Sequence, residues 1–429
     1  MSPDTIFRHV ETLAAFGTRH TLSATDHPTR GIGAARNYIR IQMEDFALAM
    51  PRKAEGGGGG GGMVVSFEAF EQPPTPNGRI PEPTEIVNVV GVIPGTVSPE
   101  RRYYVVGHYD SRNADVLDSE GDAPGANDDA SGTAVVLELA RVIAEHGPLE
   151  STVVFLATAG EEQGLLGAKH HADAAAARGE RIMAVLNNDV VGDPGAAAGA
   201  TPTPGARHFI RLFSEGIPRN ADAKMMAEIR MLAAESDSPS RQLARYIAEV
   251  GQVYDLPVKP RLIFRPDRFL RGGDHLAFAE VGFPVVRFTE FDEDYSRQHQ
   301  NVTEVDGEPY GDVPKYVDRE YLANVARLNL AAIVCLANAP SPPPRARLLT
   351  KELTTNCTIR WDPSPEPDVA GYEVVWRDTT DPLWRHSKDV GNVTECTLDL
   401  SKDDWFFGVR AYDKDGYRSP VSFSTAARE

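Results

Sequence analysis

Between residues 84 and 337, runs that favour strands and runs that favour helices take turns, and this alternation narrows the fold more than any other feature. "TEIVNVVGVIPG" and "RRYYVVGHYD" read as strands, 131–146 as a helix, "STVVFLATAG" as a strand, 164–178 as a helix and "RIMAVLNNDV" as a strand. Strands separated by helices of this length predict an α/β domain with a mostly parallel central sheet flanked by helices. A less regular stretch follows from about 192 to 237 and holds the strand-like "HFIRLFSEG". A helix at 238–251, the strands "RLIFR" and "FPVVRFTEF", and a closing helix at 316–337 then restore the pattern. Two amphipathic helices, near 4–16 and 29–49, open the chain.

Seven glycines at 56–62 lead into "MVVSFEAF" with no GK[ST], so they read as a flexible connection into a strand rather than a phosphate loop. The proline-rich "ANAPSPPPRA" marks a boundary, giving a catalytic-size domain over 1–338, a linker over 339–345 and a small domain over 346–429. Short alternating strands in that last part ("CTIRWDPSP", "AGYEVVWRD", "ECTLDL", "DWFFGVRAYDKDGYRSP") predict an all-β sandwich. Lys and Arg number 44 against 62 Asp and Glu, a net charge of -18, and no basic stripe is present, which argues against a nucleic-acid partner. No apolar run approaches the roughly 20 residues that span a bilayer, so no transmembrane segment is expected. Cys335, Cys357 and Cys396 are too few and too scattered for a disulfide framework or a Cys metal site; the resemblance of the last segment to a fibronectin type III module implies that Cys357 and Cys396 fall on inward faces of paired strands, bonded or as free thiols.

Ligand sites in open α/β sheets form beyond the carboxyl ends of the strands, so the polar residues there are the candidates for chemistry. Four strand ends qualify: His108 and Asp110 after "YYVVG", Glu161 and Glu162 after "VVFLATAG", Asp189 after "AVLNN", and His299 following "PVVRFTEFDEDYSRQ". Asp128 and Asp129 sit in the turn "GANDDASG" at the start of the next helix, where one aspartate would suffice as a cap. Singly each has a structural explanation; together they bring two imidazoles and several carboxylates to one sheet edge, a mixed nitrogen and oxygen set suited to zinc. Asp110, in an H-x-D spacing, is placed to accept the other imidazole N–H of His108. His170 and His171, on the following helix, read as solvated, and the N-V-T triplet at 301–303 reads as a chance match.

The ordered set H-x-D, G-x-N-D-D-x-S-G, G-E-E-x-G-L-L-G, N-N-D and a late His resembles the dinuclear zinc exopeptidases, the family of bacterial leucine aminopeptidase and glutamate carboxypeptidase. The resemblance implies two Zn²⁺ ions, with His108 and Asp189 on one, Glu162 and His299 on the other, and Asp128 bridging both. It also implies Glu161 as general base toward a water shared by the ions, and a cis peptide bond between Asp128 and Asp129. "GGDHLAFAEVGFP" is similar to a cleft-lining S-D-H segment, which places Asp274 and His275 to contact substrate or steady His299, although Gly273 stands where the family has Ser. The expected activity is aminopeptidase action on a peptide or small protein. The acidic surplus in "FTEFDEDY" favours binding of an α-ammonium, while Arg265, Arg268 and Arg271 could instead reach a terminal carboxylate. A zinc carboxypeptidase, a one-zinc glutaminyl cyclase and a zinc-free receptor-like module are the alternatives. The C-terminal segment resembles a fibronectin type III module of unspecified partner, which, with no signal pattern in "MSPDTIFRHVETLAAFGTRH", leads to the expectation of a secreted or periplasmic protein whose signal has been removed.

Overall fold

The apolar strands are covered on both faces, and the helices that alternate with them supply the cover. The structure, a computed structural model, describes residues 1–51, 62–196 and 200–428, so the glycine run lies, apart from Gly62, outside the described residues. Helices α1 (Pro3–Ala14) and α2 (Gly31–Ala49) come first, then strands β1 (Val64–Gln72), β2 (Thr84–Ile93) and β3 (Ser98–His108). Next are α3 (Ala130–His146), β4 (Ser151–Thr158), α4 (Leu166–Ala177), β5 (Arg181–Asn188), β6 (Phe209–Phe213), α5 (Ala223–Leu232), α6 (Pro239–Val253) and β7 (Lys259–Ile263). The unit closes with α7 (His275–Glu280), β8 (Val285–Glu290), the hairpin strands β9 (Thr303–Val305) and β10 (Glu308–Tyr310), and α8 (Arg319–Asn338).

Eight strands form one sheet in the order β1-β2-β4-β3-β5-β8-β6-β7. Its centre, β4-β3-β5-β8, is parallel as expected, and so is the β6–β7 pair, while β1, β2 and the β6–β8 pairing add antiparallel flanks to a mixed sheet. Alternate residues serve the two faces: Tyr103, Val105, Val153 and Phe155 pack with α1, α2, α3, α6 and α8, whereas Tyr104, Val106, Val154 and Leu156 pack with α4 and α7. Helix α8 is long and apolar enough to cross a bilayer by length and composition, but 72 % of that window is buried inside the protein. Helices α5 and α7 and the β9–β10 hairpin have no counterpart in the sequence reading; α5 has no buried residue, so packing leaves no periodic imprint on it. His171 is buried, not solvated, between Glu68 (2.8 Å) and the Tyr104 hydroxyl (3.2 Å), and His170 stacks on Phe70.

The last part contains β11 (Arg347–Leu349), β12 (Cys357–Arg360), β13 (Val369–Asp378), β14 (His386–Gly391), β15 (Glu395–Leu398), β16 (Trp405–Asp413), β17 (Ser422–Phe423) and β18 (Thr425–Ala427). Two four-stranded sheets, β15-β12-β11-β18 and β14-β13-β16-β17, enclose Trp361, Tyr372, Val374, Phe407 and Val409. All three cysteines are free thiols. This β unit docks against the amino end of β3 and against α6 through two buried ion pairs, Arg101–Glu366 (2.6 Å) and Arg377–Asp237 (2.7 Å), and a partly exposed one, Arg410–Glu249 (2.8 Å). From Arg101 to His108 at the other end of β3 the chain advances about 23 Å at 3.3 Å per residue. The β unit therefore sits at the opposite end of the sheet from the candidate ligands.

Helix α1 carries an acid-sensitive element. His9 is buried with Nδ1 2.7 Å from the Tyr38 hydroxyl. Burial, together with the charges of Arg8 and Arg141, pulls its pKa down to about 4. In the unfolded chain the ring takes its proton near pH 6.5, so below that pH the unfolded state binds the extra proton and native stability falls until about pH 4; the full shift corresponds to about 3 kcal/mol. Urea midpoints are expected to drop between pH 7 and pH 4.5, with His9→Phe removing part of the drop. An unaltered pH dependence in the variant would contradict this origin.

Candidate metal centre

The carboxyl ends of β3, β4, β5 and β8 share one edge because these strands are parallel; His108 lies opposite Thr158, and Val106 opposite Asn187. That register brings the residues just beyond the ends into one cleft. His108, Glu161 and Asp189 form one constellation and Asp128, Glu162 and His299 a second, the candidate ligand atoms of each within 4.8 Å of one another. Asp128 joins the two: its Oδ1 is 3.1 Å from His108 Nε2 and its Oδ2 is 2.9 Å from His299 Nε2. Glu162 Oε1 is 3.0 Å from His299 Nε2, and Asp189 Oδ1 is 4.0 Å from His108 Nε2.

His108 Nε2, His299 Nε2 and Glu162 Oε1 are buried yet have no hydrogen-bond partner. Donor atoms this close but not aligned for hydrogen bonding match ligands around a shared ion, since two ligands at 2.0–2.1 Å in a tetrahedral shell lie about 3.3 Å apart. Two imidazoles with carboxylates are a donor set that zinc accepts. Burial, reinforced by Asp189, Glu162 and Asp274 against the pull of His108, pushes the Glu161 carboxyl well above its usual range. Burial acts the same way on Asp128, but the His108 and His299 imidazoles beside it outweigh that effect and hold Asp128 well below its usual range. A divalent cation would relieve the crowding of carboxylates that raises Glu161.

The second aspartate of the turn has its own task. Asp129 caps α3 by accepting from Gly132 N (2.9 Å), and it also accepts from Val190 N (3.3 Å) and His108 N (3.1 Å). One carboxylate thus ties the ends of β3 and β5 to the start of α3. The closeness needs glycine: a Cβ on Gly132 would lie 2.1 Å from the Asn188 carbonyl oxygen. The Asp128–Asp129 peptide bond is cis, as the family resemblance implies.

Three expectations are corrected. The Asp110 carboxylate does not take the His108 N–H; Nδ1 donates to the Asp110 backbone carbonyl (3.1 Å), and the carboxylate, 3.6 Å away, instead accepts from Glu161 N (3.2 Å) and Glu162 N (3.1 Å). It presents the glutamate pair, while the backbone fixes the imidazole. Asp274 and His275 do not steady His299: both are buried, Asp274 against the Thr158 hydroxyl and His275 against the Pro266 carbonyl (2.9 Å), and neither bonds to His299 among the described contacts. Nor does the acidic surplus of "FTEFDEDY" stand free. Glu290 accepts from Asn127 and Asp193 N, Asp292 from Thr203, Glu293 pairs with Arg211 and Arg268, and Asp294 pairs with Arg297.

Other residues enter the site without a sequence signal. Arg112 donates to Glu162 Oε2 (3.0 Å) and His299 Nδ1 (2.6 Å), and Gln298 donates to Asp128 Oδ2 (2.5 Å). Arg287, fully buried, pairs with Asp189 (2.8 Å) and Asp267 (3.0 Å). It explains Gly273, since a Cβ there would lie 2.5 Å from Arg287 Nη1 and leave no room for serine. Arg19, also fully buried, bolts Tyr109 O (2.6 Å) to Pro124 O (2.5 Å) and Gly125 O (3.0 Å), joining the strand that carries His108 to the turn that carries Asp128.

The sequence model of peptidase family M28 matches residues 88–317, a span that contains every residue of both constellations. The chain belongs to peptidase family M28. A protein of Pyrenophora tritici-repentis named as a probable zinc metalloprotease is 42% identical over 425 residues, 99% of this M28 chain and 85% of the relative. This M28 protein is accordingly a zinc metallopeptidase. Two solved structures share its fold at 19% identity. The LapA aminopeptidase of Legionella pneumophila has a TM-score of 0.50 and covers 79% of this chain and 70% of its own; a glutaminyl cyclase of Fimbriiglobus ruber has a TM-score of 0.51 and covers 78% and 95%.

Proposed function

We propose that this M28 peptidase is a two-zinc aminopeptidase that releases N-terminal residues from peptides. The observation that carries the reading is the Asp128 carboxylate, which faces His108 with one oxygen and His299 with the other. His108 and Asp189 would hold one ion, Glu162 and His299 the second, and Asp128 both. Bound zinc supplies Lewis acidity toward the scissile carbonyl and acidifies the attacking water.

Glu161 belongs to the His108 constellation, is only half-buried, and makes no side-chain hydrogen bond or ion pair among the described residues. Its carboxylate is free to take the proton of the attacking water and return it to the leaving amine. Asp110 holds the backbone on which Glu161 and Glu162 stand. Arg112 secures the outer oxygen of Glu162, and Arg287 pairs with Asp189 Oδ1, the oxygen that faces His108.

Aminopeptidase action is supported by the shared fold with an enzyme of that name and by Arg268, which Asp267 and Glu293 neutralise in a buried position and which is therefore engaged rather than available to a terminal carboxylate. A cyclase needs one zinc; two constellations joined by one carboxylate favour the hydrolase. Aminoacyl p-nitroanilides and N-blocked peptides, assayed with and without a chelator alongside a metal count, test the reading. Release from free N-termini, two zinc ions per chain and loss of activity on chelation are expected. Cleavage of blocked peptides alone, or one zinc with cyclisation of N-terminal glutamine, would overturn it.

A further inference from the structure

We propose that Asp312 is the positioning residue that presents the Asp128 carboxylate to both metal half-sites; the inference rests on the reading of Asp128 as the shared ligand. Three consecutive backbone N–H groups of the turn converge on this one residue. Ala126 N donates to the Asp312 carbonyl (3.2 Å), Asn127 N to Oδ1 (2.8 Å) and Asp128 N to Oδ2 (2.8 Å). Successive N–H groups on one side of a turn form a concave anion site, and the Asp312 carboxylate fills it from 184 residues away in the sequence.

The turn has few other anchors on that side. Asp312 is 8 % exposed and Asp128 5 %, so the N–H groups cannot turn to water if the carboxylate is removed. Other contacts of the turn grip different atoms: Asn127 donates through Nδ2 to Glu290 (2.8 Å) and accepts from Gly192 N (2.8 Å), Gly125 O accepts from Arg19 (3.0 Å), and Gln298 acts on the Asp128 side chain. Asp312 takes the amide side of the Asn127–Asp128 peptide, whose carbonyl accepts from the Ser131 hydroxyl (2.7 Å), and so sets the direction in which the two carboxylate oxygens point. Outer partners of metal ligands commonly contribute 10-fold to 100-fold in metal affinity.

The test compares wild type, Asp312→Asn, Asp312→Glu and Asp128→Ala by competition with a chromophoric zinc chelator and by the visible spectrum of the cobalt-substituted protein. Asp312→Asn puts an amide donor against one of two N–H donors, and Asp312→Glu keeps the charge but moves it by one methylene. Both variants are expected to lose 10-fold to 100-fold in affinity for at least one zinc, with an altered cobalt spectrum, and to lower kcat with KM within about twofold. Wild-type zinc affinity and an unchanged cobalt spectrum in either folded variant would overturn the proposal. If Asp312→Asn does not fold, Asp312→Glu decides by the same two readouts. The control separates the two layers: zinc affinity retained in Asp128→Ala refutes the shared-ligand reading itself, whereas its loss there with wild-type behaviour at position 312 refutes only the role of Asp312.

Discussion

Glu161→Gln is expected to lower peptide turnover about 10³-fold, the scale of a lost general base, with zinc content unchanged. The substitution is nearly isosteric, and the Glu161 carboxylate has no side-chain partner among the described residues, so no orphaned group is left behind. What disappears is the ability to hold a proton between the attacking water and the leaving amine. Glu162→Gln, one residue on, makes the contrast: Glu162 Oε1 faces His299 at 3.0 Å and Oε2 pairs with Arg112 at 3.0 Å, so that change should release metal as well as abolish activity. Steady-state kinetics with atomic absorption on both variants separates a base from a ligand. Turnover within tenfold of wild type in Glu161→Gln would place the base elsewhere.

The residues readable in advance, His299 apart, share a physical property: they lie within a few positions of a strand's carboxyl end or a helix start, so local pattern and position coincide. His108 ends β3, Glu161 and Glu162 come just after β4, Asp189 follows β5 directly, and Asp128 precedes α3. What escaped reading reaches the cleft through tertiary structure. Arg19 meets the turn 106 residues away and Asp312 meets it from the far side of the β9–β10 hairpin, with nothing in "GTRH" or "YGDV" to mark them. Asp110 shows a subtler limit, because an H-x-D spacing brings both its carboxylate and its backbone carbonyl near the imidazole, and spacing cannot say which accepts. His171 carries a readable cue. With Ala168, Ala172 and Ala175 it falls on one helical stripe, the stripe that α4 buries against the sheet. The sheet's antiparallel flanks were hidden for a different reason, since a strand's own sequence does not record the direction of its neighbour.

Asp237→Ala is expected to destabilise the protein by about 3–5 kcal/mol, the cost of leaving buried charge without its partner, while kcat at temperatures below the transition stays unchanged. The Asp237 side chain is fully buried and accepts from Arg377 of the β unit (2.7 and 2.9 Å), from Arg245 of α6 (3.2 Å) and from Gln242 (2.9 Å). Arg377 and Arg245 are only 1 % and 2 % exposed. Removing the single carboxylate leaves two guanidinium groups facing each other in the seam between the sheet domain and the β sandwich. Most domains have only 5–15 kcal/mol of total stability, so the loss is a large fraction of it. Thermal and urea unfolding measure the loss, and adding Arg377→Met should recover part of it, because the two changes act on one buried pair and cannot be additive. A wild-type midpoint in Asp237→Ala would mean that the seam contributes nothing to stability. A fall in kcat with an unchanged midpoint would mean that the β unit acts on the metal centre from the opposite end of β3, a coupling for which the register of the sheet provides no contact. The expected separation, stability without kinetics, follows from where the two ends of β3 lie: Arg101 is tied to the β unit, and His108 faces Asp128.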